Sequence, residues 1–420
     1  VEGMERLGIT RDTEIGMMIS EPGFDPFERD DGLHPDGVLK RRDRKLRYNN
    51  WLSELGYDGD NPWNTWANAA EGKNGEILSG WLLRHSNLPA RVKEEHSETA
   101  YMTDRAIEFI QETGERPWLL HLSYIKPHWP YIAPAPYHNM YGPNAFMAPH
   151  RADNERNTSH PVYKAFMDMK VSRTFQQEQV RETVLSGYMG LIKQIDDHLG
   201  RLFAHLEKSG RMEDTMIVFT SDHGDYLGDH WLGEKELFHE ECVRIPLIIY
   251  DPDPRADATR STVECRFIES LDLLPTFIEA INTEVDTHRL EGCSLMPLLH
   301  GRGPKKWRKA VFSEIDYSFY AARKKLGVSA ANARAYMIRT DKWKFIYFKG
   351  FQPQLFDLKN DPDEFTDLGT SDGHQPILSE MKDILLERLM DRKNRVTMTD
   401  DEVYKTIEAK NGSGIMIGIW

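Results

Sequence analysis

The twelve residues FTSDHGDYLGDH, 219–230, place an acid and an imidazole where a predicted strand ends. Asp222 and His223 follow the apolar run 216–219 and precede a glycine. A carboxylate and an imidazole can bind one divalent cation together, and the imidazole favours manganese, zinc or iron over calcium. The pair therefore predicts part of a metal site. An aspartate ahead of a glycine can also be a simple turn cap, so the pair alone leaves both interpretations open.

The composition is that of a globular chain of 420 residues, with 40% hydrophobic and 29% charged side chains. The formal net charge of −14 argues against a nucleic-acid surface, which would need a basic excess. No apolar run approaches the roughly 20 residues that span a bilayer, so no membrane segment is predicted. The basic run 39–45 is interpreted as a solvated loop or helix face.

Cysteine usage bears on the cellular compartment. The sequence has three cysteines, an odd number, and they are widely spaced, at Cys242, Cys265 and Cys293. It contains no CxxC pair. This pattern is typical of reduced thiols, and it argues against a disulfide framework or a zinc-thiolate site. On this ground we predict a cytoplasmic protein.

Strands and helices alternate between about residue 97 and residue 300. The predicted elements are a helix from Ser97 to Gly114, a strand at 118–125, a long helix from a capping-box pair, Thr174 and Gln177, to Gly210, strands at 215–222 and 244–252, and a helix at 270–281. This alternation predicts an α/β domain over residues 1–300, with a largely parallel sheet flanked by helices. The apolar run WLLHLSYI at 118–125 predicts a strand buried on both faces. The first ~95 residues are predicted to be irregular rather than part of the core.

After about residue 300 the pattern becomes antiparallel. Strand-like runs occupy 310–315 and 335–348, a turn-rich ribbon follows at 354–368, and 376–394 is amphipathic at helical spacing. Residues 301–420 are therefore predicted to form a smaller C-terminal α+β subdomain with an antiparallel sheet, a helix and a tail.

Two further segments could contribute to the same site. Lys126 and His128 lie in YIKPHWPY at another predicted strand end, and Lys235 lies thirteen residues past Asp222. Ligands of open α/β sheets bind at the carboxyl ends of the strands, so we expect His128 and Lys235 to converge with Asp222 and His223. His128 could instead be a packed loop histidine and Lys235 a solvated lysine. Lys126 is interpreted only as a neighbour of the site.

Taken together, the order and spacing of these motifs resemble the sulfatases of the alkaline phosphatase superfamily over roughly residues 90–370. The segments that carry the resemblance are FTSDHGDYLGDH, Lys235, HEECVRIPLIIYDP, SETAYMTDRAIEFI, KPHWPY, YMGLIKQIDDHLGRL, SLDLLPTFIEAI, EGCSLMPLL and QLFDLKNDPDE. Within that family the chain looks most like the phosphonate monoester hydrolase and phosphodiesterase branch. His223 stands where many calcium sulfatases have Asn, and APAPY and the tail RKNRVTM…GIMIGIW add to the likeness. The resemblance implies an alkaline phosphatase-like α/β fold.

The resemblance also implies a function and residue roles. It implies a metal-dependent hydrolase of sulfate esters, phosphonate monoesters or phosphodiesters, acting on a small anionic ester. Asp222 and His223 correspond to ligands of one divalent metal ion, which would be manganese, calcium or zinc. His128 corresponds to the histidine that contacts the transferred group and can protonate the leaving oxygen, and Lys235 to the lysine against the same group. A homo-oligomer formed through the C-terminal tail is also expected.

The family's nucleophile, a Cys or Ser in a C/S-x-P-x-R segment with the Cys oxidised to formylglycine, has no counterpart in the 420 residues. NLPAR at 87–91 has the Pro and Arg, but Asn87 cannot serve as the nucleophile. We therefore expect formylglycine only in a missing N-terminal segment of roughly 100 residues, and an inactive chain without it. His230 and His239 match no family role and are interpreted as structural.

Two alternatives stay open from the sequence. The first is a relative without a nucleophile that binds anionic esters and does not cleave them. The second is a two-metal enzyme similar to the phosphatases or phosphomutases, which would need further Asp and His clusters downstream of His223.

Overall fold

The computed structural model describes residues 24–28, 46–142, 145–157 and 160–410, with side chains up to 406. The basic run 39–45 and the end of the C-terminal tail lie outside the described residues. The helices are α1 (Arg47–Glu54), α2 (Glu98–Thr113), α3 (Pro161–Met167), α4 (Lys170–Phe175), α5 (Glu178–Lys208), α6 (Glu240–Val243), α7 (Leu273–Ala280), α8 (Met296–Leu299), α9 (Ala321–Leu326), α10 (Gln375–Met390) and α11 (Asp400–Lys410). The strands are β1 (Ala69–Glu71), β2 (Ile77–Ser79), β3 (Ile217–Thr220), β4 (Leu247–Tyr250), β5 (Ala310–Asp316), β6 (Arg334–Thr340), β7 (Trp343–Phe348) and β8 (Gln354–Asp357).

The described residues belong to two compact units. The first unit takes its residues from 1–148 and 177–212, and the second takes them from 149–176 and 213–420. The first unit therefore holds α1, α2, α5 and the β1–β2 pair, and the second holds the other elements. The predicted domain boundary near residue 300 stays a prediction.

Helix α2 of the first unit begins and ends where the sequence predicts. The Ser97 hydroxyl accepts a hydrogen bond from the Ala100 backbone N–H at 3.3 Å, which caps the first turn. Gly114 ends the helix with φ of 56°, a conformation that glycine adopts without a side-chain clash. The predicted helix at 97–114 is confirmed.

The long helix α5 buries the apolar stripe that its periodicity predicts and is followed by Gly210, as expected. The buried members of the stripe are Val184, Leu191, Ile195, Leu202 and Leu206. Its predicted capping box is wrong, because Gln177 is the N-cap without a side-chain hydrogen bond and Thr174 belongs to α4. No helix among the described residues is both long enough and apolar enough to cross a membrane.

Residues 46–95 of the first unit correct another expectation, since they help to build a core. A buried cluster collects side chains from this segment and from α2, including Tyr48, Leu52, Trp63, Ala70, Val92 and Tyr101. The aromatic residues here are irregularly spaced, so they show no helical or strand period in the sequence although they pack together. The expectation of irregular structure outside the core is wrong for this part.

The predicted strand at 118–125 is also wrong. The segment forms no strand in the described structure, and Leu119 is 61% exposed. An apolar run satisfies the burial requirement of a central strand, but a strand also needs neighbours that accept its backbone hydrogen bonds. The run alone carried no information on those neighbours.

In the second unit, strands β3 and β4 are confirmed at the predicted places but run antiparallel. Ile217 pairs with Tyr250 and Thr220 with Leu247. The connecting residues 221–246 contain no helix longer than the four-residue α6, whereas parallel neighbours are usually joined through a full crossover helix. All strand pairs among the described residues are antiparallel, so the parallel strands that the alternation predicts are not found in that part of the chain.

The C-terminal sheet agrees with the sequence. Strands β5, β6, β7 and β8 form one antiparallel sheet in that order. Leu378, Met381 and Leu385 of α10 lie in the same buried cluster as Ile338 and Phe345 of the sheet. The predicted antiparallel α+β region is therefore confirmed.

Candidate functional site

The candidate site is centred on the loop that follows β3. Asp222 and His223 open this loop, and Lys235 lies near its other end. The Tyr226 backbone N–H donates to the Glu234 carbonyl at 2.8 Å, so the loop folds back on itself. This closure places the chain that follows Asp222 and His223 beside the residue that precedes Lys235.

The side chains of Asp222 and His223 present two adjacent lone pairs. The His223 Nδ1 lies 2.7 Å from the Gly224 carbonyl oxygen, which can only accept, so Nδ1 carries the proton. In the neutral ring Nε2 then keeps its lone pair, and it lies 3.3 Å from Asp222 Oδ2. Asp222 is 84% exposed at its side chain, so ions from solvent can reach it.

This donor set fits part of a divalent-metal site. A carboxylate oxygen and an imidazole nitrogen are suitable ligands for manganese or zinc. No group of three or more His, Cys, Asp and Glu side chains arranged to hold a metal occurs in the parts of the chain described by the structure. Asp222 and His223 would thus supply two ligands.

Gly224 lets the loop lie against α6. Its backbone N–H donates to the Cys242 carbonyl at 2.9 Å. A Cβ at this position would lie 1.7 Å from the Glu241 carbonyl oxygen and 3.1 Å from the Cys242 Cα. Those atoms are backbone and cannot move aside cheaply, so the position requires glycine. The backbone next to the ligand pair is therefore fixed by its contact with α6.

A buried histidine anchors the middle of the loop. His230 has no exposed side-chain surface, and its Nδ1 lies 2.7 Å from Glu155 Oε1 while its Nε2 lies 3.2 Å from Glu241 Oε2. Both ring nitrogens face carboxylates, so both donate and the ring is an imidazolium. Burial alone would lower the pKa of His230, but the hydrogen bonds and charges of Glu155 and Glu241 outweigh it and raise that pKa to about 9.

The contact with His230 also changes the pKa of Glu241. Burial would raise the pKa of its carboxyl, yet the hydrogen bond and charge of His230 outweigh burial and lower that pKa to about 2. The Tyr163 hydroxyl donates to Glu155 Oε1 at 2.8 Å, so both carboxylates in this network are hydrogen-bonded. The network therefore ties α6, the loop and the segment around residue 155 together.

A second histidine stacks on the first. The His239 and His230 rings lie 3.9 Å apart with an interplanar angle of 17°. Burial, followed by the positive charges of His230 and Lys344, lowers the pKa of His239 well below its usual value, so this ring is neutral. The Tyr226 hydroxyl oxygen lies 2.8 Å from His239 Nδ1. Both histidines are therefore buried and make their contacts within the protein.

Several loop residues have a left-handed backbone. Positive φ values occur at Leu227 (46°), His230 (50°), Trp231 (59°) and Glu234 (64°). Such conformations cost roughly 1–2 kcal/mol each for residues other than glycine. The loop is therefore not a locally preferred conformation and depends on its buried contacts.

Two carboxyl groups flank Lys235. Glu236 is 4% exposed, and its Oε2 accepts a hydrogen bond from the Lys235 backbone N–H at 3.0 Å. Burial, followed by the charge and hydrogen bond of Glu234, raises the pKa of Glu236 to about 8. At neutral pH the Glu236 carboxyl is thus largely protonated and adds little negative charge next to Lys235.

The C-terminal sheet is joined to α6 through a buried lysine. Lys344 on β7 has no exposed side-chain surface, and its Nζ lies 2.8 Å from Glu240 Oε1 and 2.8 Å from Glu364 Oε1. The same ammonium donates to the Phe238 carbonyl at 2.8 Å. The residues on both sides of the start of α6 are therefore anchored on the sheet.

Lys126 and His128 lie in the first unit. The Lys126 ammonium is buried and donates to Asn68 Oδ1 at 2.7 Å and to the Pro130 carbonyl at 2.8 Å, which gives it a structural role. His128 is partly exposed, and its Nδ1 lies 3.0 Å from the Trp129 carbonyl oxygen. A carbonyl again fixes the proton on Nδ1, which directs Nε2 to other partners.

Three of the predicted site residues share one loop. Asp222, His223 and Lys235 belong to one folded loop of the second unit. The convergence of His128 with them stays a prediction, because His128 belongs to the first unit. The sequence analysis missed Glu155, which lies 75 positions before its partner His230 and has no motif to mark it.

Comparison with protein-family models gives two matches. The sulfatase family model matches residues 43–283, and the model for the C-terminal part of N-sulphoglucosamine sulphohydrolase matches residues 228–391. The first match covers more than half of the chain and contains the loop after β3.

Known relatives give a consistent picture. The chain is 35% identical over 300 residues to the multifunctional alkaline phosphatase superfamily protein PehA of Trinickia caryophylli, covering 67% of this chain and 57% of PehA. It is 26% identical over 345 residues to an arylsulfatase of Clostridium perfringens, covering 79% of this chain and 66% of that enzyme. The chain thus spans less than two thirds of the length of these relatives.

Two solved structures are similar over most of the chain. The phosphonate monoester hydrolase SpPMH of Silicibacter pomeroyi has a TM-score of 0.75 at 26% identity, covering 90% of this chain and 78% of that protein. The phosphonate monoester hydrolase of Agrobacterium radiobacter has a TM-score of 0.70 at 26% identity, covering 82% of this chain and 69% of that protein. These similarities confirm the alkaline phosphatase-like α/β fold class.

The close approach at Gly224 makes a testable prediction. Replacing Gly224 by Ala should lower the free energy of unfolding by about 1–3 kcal/mol or more, because the new Cβ overlaps the Glu241 carbonyl oxygen. Gly200→Ala is the matched control, since a Cβ at Gly200 in α5 meets nothing within 4 Å and should stabilise the helix slightly. Urea denaturation of both variants measures the difference. Equal stabilities for the two variants would contradict the steric argument.

The charge on His230 predicts a pH dependence of stability. The rise of its pKa from 6.5 unfolded to about 9 folded corresponds to about 3 kcal/mol, which is fully present below pH 6.5 and is lost as pH rises through 9. We expect urea unfolding to show this decline in the wild type and a smaller decline in His230→Gln. The exposed His121→Gln variant should behave like the wild type. Parallel pH profiles for wild type and His230→Gln would show that His230 is not charged.

Proposed function

The chain belongs to the sulfatase family, and we propose that it is part of a hydrolase of sulfate esters, phosphonate monoesters or phosphodiesters that uses one divalent cation and whose ester-binding residues lie in these 420 residues. The observation that carries the proposal is the Asp222–His223 pair, whose Oδ2 and Nε2 atoms lie 3.3 Å apart at the start of the loop. The similarity to phosphonate monoester hydrolases and to an arylsulfatase supports both substrate classes.

The proposed cation is manganese, calcium or zinc, held in part by Asp222 and His223. When bound, such a cation would stabilise negative charge on the transferred group and lower the pKa of a bound hydroxyl. The Lys235 ammonium would neutralise further charge on the same group. The protonated neighbour Glu236 favours this role, because a second carboxylate beside the lysine would repel an anionic ester.

His128 is proposed as the proton donor to the leaving oxygen. The Trp129 carbonyl fixes the proton on Nδ1, so Nε2 is the nitrogen that would carry the transferable proton.

The nucleophile is the remaining component. The 420 residues contain no C/S-x-P-x-R segment in which a formylglycine could form, so we propose that they bind such esters without turning them over. The cytoplasmic location and the homo-oligomer through the C-terminal tail stay predictions.

Metal binding tests the ligand pair directly. Titration of the 420-residue chain with Mn²⁺, followed by calorimetry, should show one site whose affinity falls more than about tenfold in Asp222→Asn and in His223→Ala. Asp214→Asn is the control, because Asp214 is an exposed carboxylate that precedes β3. Unchanged Mn²⁺ affinity in both ligand variants would remove the proposed metal site.

Turnover tests the missing nucleophile. With Mn²⁺ present, the 420-residue chain should hydrolyse neither 4-nitrophenyl sulfate nor bis(4-nitrophenyl) phosphate above the buffer rate. The release of nitrophenol is followed by absorbance, with His128→Ala measured in parallel. Hydrolysis that disappears in His128→Ala would show that the chain contains a nucleophile after all.

A further inference from the structure

The proposed proton donor lies beside an aromatic side chain. The ring centroids of His128 and Trp129 are 4.4 Å apart, and both residues are partly exposed. An atom that receives a proton from His128 must lie within hydrogen-bond distance of the imidazole. Whatever is attached to that atom therefore comes close to the Trp129 indole.

Trp129 is one member of a row of tryptophans. Trp81 makes an edge contact with Trp129 at 5.2 Å between centroids, and Trp63 lies 6.0 Å from Trp81. Trp81 is partly exposed, whereas Trp63 is buried. The Trp81 indole N–H donates to Asn64 Oδ1 at 2.8 Å, which fixes the orientation of that ring.

The row is held by buried polar contacts. The Lys126 ammonium donates to Asn68 Oδ1 and to the Pro130 carbonyl. Lys126 and Pro130 lie on either side of His128 and Trp129 in the sequence. The Asn68 side-chain amide also donates to the Trp63 carbonyl at 3.1 Å. The turn with His128 and the residues around Trp63 are therefore connected through one buried asparagine. A rigid aromatic surface loses little entropy when a ligand binds to it.

We propose that Trp129 and Trp81 form a subsite for the leaving group of the ester and that this subsite takes a planar aromatic ring. The inference rests on the proposed function, since it places the leaving oxygen at His128. An aryl ring can stack on one indole and meet the edge of another, which contributes about 0.5–1.5 kcal/mol per aromatic pair beyond the apolar area buried. The arylsulfatase among the relatives is consistent with an aryl leaving group. Trp129 is thus a specificity-determining residue, not a catalytic one.

The test compares two sulfate esters that carry the same charge. Equilibrium dissociation constants of 4-nitrophenyl sulfate and ethyl sulfate are measured calorimetrically with the 420-residue chain and Mn²⁺. The wild type should prefer the aryl ester, and Trp129→Ala should weaken the aryl ester by at least about fivefold and leave ethyl sulfate unchanged. Trp129→Phe keeps an aromatic face and should retain most of the preference.

Several outcomes would overturn the subsite. Equal weakening of both esters in Trp129→Ala would show a structural role, and equal affinities in wild type and variant would show no role. Stronger binding of glucose 6-sulfate than of 4-nitrophenyl sulfate would assign the surface to a sugar ring instead of an aryl ring.

A third ligand separates this inference from the proposed function. Neutral 4-nitrophenol, measured at pH 5.5, carries the ring without the anion. If it binds in a Trp129-dependent way while neither ester binds, the proposed function fails and the aromatic subsite stands. If the esters bind and lose affinity in Lys235→Ala, but nitrophenol binding is unchanged in Trp129→Ala, the subsite fails and the proposed function stands.

Discussion

The buried charge of His230 is the interaction on which the candidate site depends. An imidazolium without exposed surface is tolerated only because Glu155 and Glu241 each accept one of its two N–H groups. Removal of any member would leave a buried charge without its partner, which is far more destabilising than the loss of a surface ion pair. Glu155 lies 75 positions before His230, so their pairing fixes tertiary structure and not only local geometry.

This interaction offsets the unfavourable backbone of the loop. The left-handed residues between Leu227 and Glu234 are conformations that a free peptide would avoid. The buried His230 anchors this stretch from within, and Gly224, which precedes it, is held in close contact with α6. As a result, Asp222, His223 and Lys235 are presented from a loop whose shape is set by its surroundings. Preorganised ligands of this kind bind ions and anions without a large ordering cost.

The sequence predicted what depends on local pattern. The capped helix after Ser97, the stripe of α5 and the antiparallel C-terminal sheet follow from periodicity and end signals, and they are confirmed. The motif after β3 identified the family. The run at 118–125 misled because hydrophobicity reports burial but not the presence of a pairing strand.

Other features depended on tertiary contacts that no local pattern encodes. The antiparallel direction of β4 follows from how residues 221–246 turn back, and the spacing of the strands does not reveal it. Glu155 joins His230 across 75 positions, and the tryptophans around Asn68 pack without a period. Sequence motifs identified the residues proposed to contact a ligand, whereas the residues that hold their loop in place needed the structure.

The buried Lys344 couples the sequence of the C-terminal sheet to the sequence of α6. Its ammonium meets Glu240 and Glu364 within the same unit, and α6 in turn lies against Gly224. The sheet is remote from Asp222 and His223 in sequence, but its residue at position 344 cannot change independently of α6. A change at Lys344 would have to be accompanied by changes at Glu240 or Glu364, so we expect these positions to vary together among homologues. A recombinant that exchanges the C-terminal sheet without α6 would inherit mismatched charges where the sheet meets α6.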